Sequence, residues 1–162
     1  MGQRGARADR AMTAKRPPNV VRAAWAGGHR FDTGRIGGPV ARIDGEGETG
    51  QSPPDALLSA LATCSAIDVV DILAKRRTPV EKLTVDVEGE RREDIPRRFV
   101  RLTLTYKLDG AGVEALHAER AVALAFEKYC SVAASLAPDM SVETTVVVNG
   151  VAGPPTPQTL GR

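Results

Sequence analysis

Residues 52–77 read SPPDALLSALATCSAIDVVDILAKRR, and this run predicts one long helix of about six turns with a cysteine near its middle. Ser52 suits the N-cap position, and the two prolines after it suit a first turn, whose amide hydrogens have no partner within the helix. Asp55 lies where the helix dipole favours a negative charge. Basic residues at 75–77 and Pro79 beyond them mark the end of the helix.

The side chains of this helix are small or apolar on nearly every face, which predicts a helix buried over most of its surface. Cys64 shares one strip with Asp68 and Asp71, because residues three or four apart lie on the same face. The two carboxylates can act in catalysis, but a pair on a core helix more often binds an arginine or lysine of a neighbouring element. We therefore expect Cys64 inside the protein, with a structural carboxylate one turn away.

The chain has 162 residues, of which 26% are charged, and a formal net charge of +2. This length fits one domain whose core needs no disulfides, and the small charge argues against a nucleic-acid-binding surface. Two aspartates interrupt the most apolar run, and the N-terminus lacks the apolar segment of a secretion signal. We therefore expect a cytoplasmic protein that does not enter a membrane.

The predicted organisation is an α+β domain over residues 19–149, between a disordered basic tail at 1–18 and a flexible tail at 150–162 that is rich in glycine and proline. Three short strands precede the long helix, and a hairpin, an amphipathic helix, a short helix and a last strand follow it, at 80–90, 99–108, 112–129, 130–136 and 141–148. The order shows no strand–helix–strand alternation, so we expect antiparallel sheets that wrap a long buried central helix.

Few residues in the chain can carry chemistry. His29 and His117 lie far apart, and neither they nor the cysteines show a metal-binding spacing, so we expect no metal and no cofactor. Cys64 and Cys130 remain, and in a reducing compartment such thiols are catalytic, redox-active or incidental. Cys130 precedes a short helix whose amides can stabilise a thiolate, whereas Cys64 lies mid-helix, where neither end of the dipole helps.

A reactive Cys64 needs a favourable charge from elsewhere in the fold. Burial and Asp68 both raise the pKa of this thiol, and Arg30, in the turn GGHRF, is our candidate for the compensating cation. The competing interpretation treats Cys64 as one more small apolar core residue. The residues alone leave both interpretations open.

Three segments together resemble the OsmC/Ohr family of thiol peroxidases: SPPD at 52–55, ATCSAIDVVDIL at 62–73, and KYCSV at 128–132, followed by a closing strand that contains VET. The resemblance spans about residues 20–149. It implies an intertwined homodimer in which sheets from both subunits wrap long central helices, with two active sites at the interface.

The resemblance also implies a reaction. Cys64 matches the peroxidatic cysteine, which reduces organic hydroperoxides or hydrogen peroxide, and Cys130 matches the resolving cysteine, which forms a disulfide with it. An external dithiol, in relatives often a dihydrolipoyl group, would then restore the enzyme without a metal or flavin. Arg30 is the position that we match to the family's thiolate-binding arginine, and Asp55 to the acid that orients it.

One departure from the family pattern concerns the acid. The best-known organic hydroperoxide members carry a glutamate where this chain has Pro54, and Asp55 matches the acid of a less-studied branch. An alternative therefore stays open: a non-catalytic thiol redox switch, or a protein that binds a small ligand, on the same scaffold.

Overall fold

The computed structural model describes residues 15–160, so the tail predicted at 1–18 lies mostly outside the described residues. Residues 15–20 are exposed and have no regular secondary structure. The described chain divides into two compact units after Gly50, at the end of a glycine-rich loop. The single domain predicted over 19–149 stays a prediction.

The N-terminal unit is a three-stranded antiparallel sheet, as the sequence predicted. Its strands β1 (Val21–Trp25), β2 (Arg30–Arg35) and β3 (Val40–Asp44) pair in the order β1-β2-β3. Gly27 has a φ of +92° in the turn between the first two strands, a conformation that glycine adopts without strain. All five residues of β1 are exposed, including Trp25 at 70%.

A buried carboxylate closes the loop after β3. Asp44 accepts a hydrogen bond from the Thr49 hydroxyl at 2.7 Å and from the backbone N–H groups of Thr49 and Glu46, each at 3.0 Å. The Thr49 hydroxyl first, and then the two N–H groups, lower the pKa of Asp44 to about 2. The ionised carboxylate thus fixes the shape of this loop.

The C-terminal unit begins with the predicted long helix, α1 (Pro53–Lys75). Ser52 is its N-cap, and the Asp55 N–H donates to the Ser52 hydroxyl while the Asp55 carboxylate accepts from the Ser52 N–H, both at 3.3 Å. This reciprocal capping box satisfies two amide hydrogens that the helix itself leaves free. The start predicted from the sequence is confirmed.

The burial of α1 differs from the prediction. Leu61, Val69 and Leu73 are fully buried on one face, whereas Ile67 is 61% and Val70 is 40% exposed on another. The helix packs on strands and helices of its own unit along one side only, so the expectation of burial on most faces is wrong for the single chain.

By length and composition, α1 is the one helix within residues 15–160 that could cross a membrane, with a mean hydropathy of 1.8 over its most apolar 18 residues. The prediction that its two aspartates exclude a span is therefore too strong. The core helix of a soluble protein passes the same test, and one face of α1 does carry core residues.

The sheet of the C-terminal unit is mixed. Its strands β4 (Lys82–Arg91) and β5 (Phe99–Asp109) form the predicted antiparallel hairpin, but β5 and β6 (Ser141–Val148) run parallel. The predicted antiparallel pairing is present in both sheets, whereas the parallel β5–β6 pair forms a strand–helix–strand unit that the sequence did not predict. Parallel neighbours need a long crossover, and residues 110–140 supply it with helices.

That crossover contains three helical pieces. The predicted amphipathic helix is α2 (Ala115–Leu124), which continues into a π-helical turn (Ala125–Tyr129), and a short helix α3 (Ser131–Ala134) follows. The wide turn ends where the Cys130 N–H donates to the Ala125 carbonyl at 2.8 Å. Such turns insert one residue into a helix and are frequent at functional sites.

The C-terminal segment is ordered as far as it is described. Gly150 has a φ of +83° and reverses the chain, so that β7 (Val151–Ala152) and β8 (Thr156–Gln158) pair with β6. Leu160 is 2% exposed. The flexible tail predicted at 150–162 is therefore wrong for its described part, because the open edge of β6 offers backbone groups for the chain to pair with.

Candidate active site

The structure brings the two cysteines together in the C-terminal unit. Cys64 lies in the middle of α1 and is half-buried, whereas Cys130 is 3% exposed and is the N-cap of α3, where its Sγ accepts from the Ala133 N–H at 3.4 Å. Both thiols are free, and they are close enough for each to shift the pKa of the other. The Cys64 Sγ also lies 3.9 Å from the Ser131 Oγ.

The residues around Cys64 lower the pKa of its thiol. Burial raises its pKa, but hydrogen bonds from the Val132 N–H, the Cys130 thiol and the Ser131 hydroxyl together outweigh burial and lower the pKa of Cys64 below its ordinary value. The expectation that no helix end helps Cys64 is therefore wrong, because the first residues of α3 point a donor at it. The sequence feature that could have predicted these donors is the pair Ser131 and Val132, which follows Cys130 directly at the start of the short helix.

Cys130 behaves in the opposite way. Burial is the largest effect and raises the pKa of Cys130 to about 11, with the charge of Cys64 adding to it, although the Ala133 N–H acts against the rise. The sequence had suggested an activated thiolate at this helix start. The structure instead pairs a thiolate-prone Cys64 with a Cys130 that keeps its proton and donates it in a hydrogen bond.

The other two predicted site residues are held by local contacts. Arg30 begins β2 in the N-terminal unit, where its Nε donates to the Gly27 carbonyl at 3.3 Å and its charge helps to lower the pKa of Asp44. Asp55 is exposed at the start of α1, and its carboxylate accepts from the Ser52 hydroxyl at 2.6 Å. Their proposed roles beside the thiolate stay predictions.

A cavity of about 490 Å³ lies between α1 and α2. Asp68, one turn from Cys64, lines it, and within the described part of the chain its Oδ2 is buried and has no hydrogen-bond partner. Burial first, and then the charge of Asp71, raise the pKa of Asp68. The expectation that Asp68 binds an arginine or lysine is thus not met at this oxygen.

Beneath Cys64, a buried pair that the sequence did not single out anchors α1 to the sheet. Ser65 and Tyr106 are both fully buried, and their hydroxyls share a hydrogen bond of 2.6 Å. The Ser65 hydroxyl also bonds the Leu61 carbonyl at 2.9 Å. The inward position of Tyr106 on an alternating strand was the available signal, since a buried tyrosine hydroxyl needs a partner.

Within residues 15–160 no cluster of histidine, cysteine and carboxylate side chains could hold a metal ion.

Comparisons with known proteins agree with this architecture. The family model described as OsmC-like protein matches residues 45–145. Protein YhfA of Escherichia coli K12 is 39% identical over 117 residues, which cover 72% of this chain and 87% of YhfA.

Solved structures show the same fold. A hypothetical protein from Aquifex aeolicus VF5 superposes with a TM-score of 0.74 at 28% identity, covering 83% of this chain and 98% of that protein. The organic hydroperoxide resistance protein OhrB of Bacillus subtilis superposes with a TM-score of 0.52 at 16% identity, covering 80% and 96%, which shows likeness of fold alone. The family model covers more than half of the chain and YhfA is well above 30% identical, so the chain belongs to the OsmC/Ohr family.

Proposed function

We propose that the protein is a thiol peroxidase that reduces organic hydroperoxides, and hydrogen peroxide by the same chemistry. One observation carries the proposal: a half-buried thiol with a lowered pKa, Cys64, lies near a buried thiol with a raised pKa, Cys130, and each shifts the pKa of the other. The Cys64 thiolate attacks the peroxide, and the protonated Cys130 thiol then reacts with the oxidised Cys64. The family's hydroperoxide resistance proteins, such as OhrB, support the same class of reaction.

The reaction proceeds in two oxidation steps. The Cys64 thiolate attacks the outer peroxide oxygen, the O–O bond breaks, and the leaving alkoxide takes a proton to become an alcohol while Cys64 becomes a sulfenic acid. The Cys130 sulfur then attacks the Cys64 sulfur, and its proton and the sulfenic hydroxyl leave as water. Because the thiols are close enough to shift each other's pKa, we expect the disulfide to form with a movement of the four-residue α3.

An external dithiol completes the cycle by exchange with this disulfide, and a lipoyl-type dithiol is the reductant that we propose. Such a cycle suits the reducing cytoplasm, where we place the protein. No metal or flavin takes part in it.

We further propose that the protein acts as an intertwined homodimer. The exposed side of α1 and part of β4 form an apolar groove of about 680 Å³, lined by Ala62, Thr63, Ala66, Ile67, Val70, Leu83 and Val85 among others. Apolar patches of this kind mark association surfaces. In the dimer, Arg30 holds the Cys64 thiolate and Asp55 orients Arg30.

The dimer is tested by substituting one side chain of the groove. Ile67→Glu should yield monomers by light scattering, because a charge cannot be buried unpaired in an apolar interface. Leu116→Glu is the matched control, since Leu116 is 70% exposed on α2 and lies off the groove. A dimeric Ile67→Glu protein would contradict the proposal.

The activity is tested with cumene hydroperoxide and a dithiol in excess. The wild type should consume many equivalents per subunit, and Cys64→Ser should abolish turnover. Cys130→Ser should still react once and leave a sulfenic acid that dimedone traps, because only the resolving thiol is missing. Wild-type protein that reduces no hydroperoxide at all would refute the proposed function.

A redox switch remains the second candidate, because Cys130 is 3% exposed and a disulfide at that depth is poorly accessible to an external dithiol. A switch consumes one equivalent of peroxide and stops, even with the dithiol in excess. The count of equivalents in the same assay therefore separates the two functions.

A further inference from the structure

Asp68 is a buried acid that the two-thiol cycle does not use. Its Oδ2 is inaccessible to solvent and, among residues 15–160, has no hydrogen-bond partner. A buried carboxylate oxygen without a partner is unfavourable for stability, so its presence needs another explanation. The residues around Asp68 suggest a chemical role.

The geometry of α1 directs Asp68 towards Cys64. The two residues are four apart, which places their Cβ atoms about 5–6 Å from each other on one face of the helix. Helical side chains lean towards the N-terminus, which favours an Asp68 carboxyl near the turn of Cys64, and the charge of Asp68 does act on the Cys64 thiol. When the Cys64 sulfur attacks one peroxide oxygen, the leaving oxygen, one bond further out, can occupy the space between the sulfur and this carboxyl.

The cavity of about 490 Å³ gives Asp68 a route for proton exchange with water. Its titratable and charged lining comes from α1, α2 and the π-helical turn: Asp71, Lys75, Arg76, His117, Arg120 and Tyr129. From the sheet side, Tyr106 is buried and is influenced by the charge of Asp68. Asp68 is therefore buried at its tip and connected to solvent through a polar cavity.

We propose that Asp68 is the general acid of the peroxidase reaction and protonates the alkoxide that leaves when Cys64 attacks the peroxide; this inference rests on the proposed function. The Cys64 thiolate and the protonated Asp68 react with ROOH to give the Cys64 sulfenic acid, the alcohol ROH and the Asp68 carboxylate. Asp68 then regains its proton from water in the cavity. Charge and atoms balance, and no further oxidant is needed.

The electrostatics of the site favour this arrangement of charge. Burial and the neighbouring Asp71 favour the protonated form of Asp68, and an ionised Asp68 would raise the pKa of Cys64. One negative charge on sulfur with a proton on Asp68 avoids two adjacent anions. This is the state in which the attacking group and the acid are both ready.

The choice of leaving group tests the proposal. The tert-butoxide that leaves tert-butyl hydroperoxide is strongly basic and needs a proton, whereas the acetate that leaves peracetic acid does not. Asp68→Asn should slow the oxidation of Cys64 by tert-butyl hydroperoxide about 100-fold and its oxidation by peracetic acid by less than about threefold. The rate is measured by stopped flow on the reduced protein.

Asp94→Asn is the matched control, because it makes the same change at an exposed residue between β4 and β5 that does not line the cavity, and it should keep both rates within about threefold of wild type. The pH profile gives a second readout: the wild-type rate with tert-butyl hydroperoxide should fall at high pH as Asp68 loses its proton. Asp68→Asn should lack that fall, and Asp68→Glu should restore part of the rate.

Every other result overturns the inference. Equal losses with both oxidants would assign Asp68 a purely structural role, and unchanged rates with both would exclude it from the reaction. Misfolding is not expected, since asparagine is neutral like the protonated Asp68 and has nearly the same size, and circular dichroism checks this. A wild type that is inactive with all hydroperoxides but forms a disulfide once would instead refute the proposed function, and this inference with it.

Discussion

Ser131 supplies one of the hydrogen bonds that lower the pKa of Cys64, so Ser131→Ala should raise that pKa. A hydrogen bond to a charged group contributes about 1.5–3 kcal/mol, and 1.36 kcal/mol corresponds to one pKa unit. The separation of 3.9 Å between Cys64 Sγ and Ser131 Oγ is long, and the Val132 N–H and Cys130 thiol remain. We therefore expect the pKa to rise by about one, which means about tenfold less thiolate at neutral pH.

The assay is the pH dependence of alkylation at Cys64, followed by mass spectrometry of its peptide so that Cys130 does not interfere. Ser135→Ala is the matched control, because the Ser135 hydroxyl donates to the Ser131 carbonyl at 2.7 Å and does not serve the thiol. A pKa of Cys64 that stays the same or falls in Ser131→Ala would show that the hydroxyl does not stabilise the thiolate. A rise in both variants would trace the effect to the fold of α3 instead.

Two further predictions concern packing and charge. Ser65→Ala should lower the free energy of urea unfolding by about 1–3 kcal/mol, because it leaves the buried Tyr106 hydroxyl without a partner. Tyr106→Phe should cost less, because the Ser65 hydroxyl keeps its hydrogen bond within α1. If the losses of the two single variants simply add in the double variant Ser65→Ala/Tyr106→Phe, a direct hydrogen bond between the hydroxyls is refuted. Asp44 stabilises the fold fully above its ordinary pKa of 3.8, and this contribution should disappear as pH falls through about 2; Asp44→Asn should flatten that part of the stability profile.

Local signals in the sequence predicted much of the fold. The capping box at Ser52 and Asp55 follows from residue types three positions apart, and the hairpin of β4 and β5 from strict alternation. The parallel direction of β6 could not be predicted in this way, because alternation shows which side chains face inward but not which strand lies alongside. The glycines and prolines after residue 150 indicate turns equally well in a tail and between short paired strands.

The site was predictable only in part. Cys64 and Cys130 were identified by resemblance to the OsmC/Ohr family, and the structure places these thiols close enough for each to shift the pKa of the other. The donors that activate Cys64 come from the backbone of Val132 and the hydroxyl of Ser131, across 67 positions of sequence in the case of the hydroxyl, and no local pattern reveals such a meeting. The sequence could not predict the unpaired Asp68 oxygen either, because its state depends on whether the neighbouring helices place a hydrogen-bond donor near it.

The wide π-helical turn at Ala125–Tyr129 determines how this segment can vary in length. It holds one residue more than an α-helical turn, so deleting a single residue there would restore ordinary winding and leave the residues that follow in nearly the same orientation around the helix axis. Cys130 would then still face Cys64, whereas a second deletion would rotate it by about 100°. Homologues that keep both sulfurs should therefore shorten the spacing between Arg120 and Cys130 by one residue at most, even where the surrounding side chains differ.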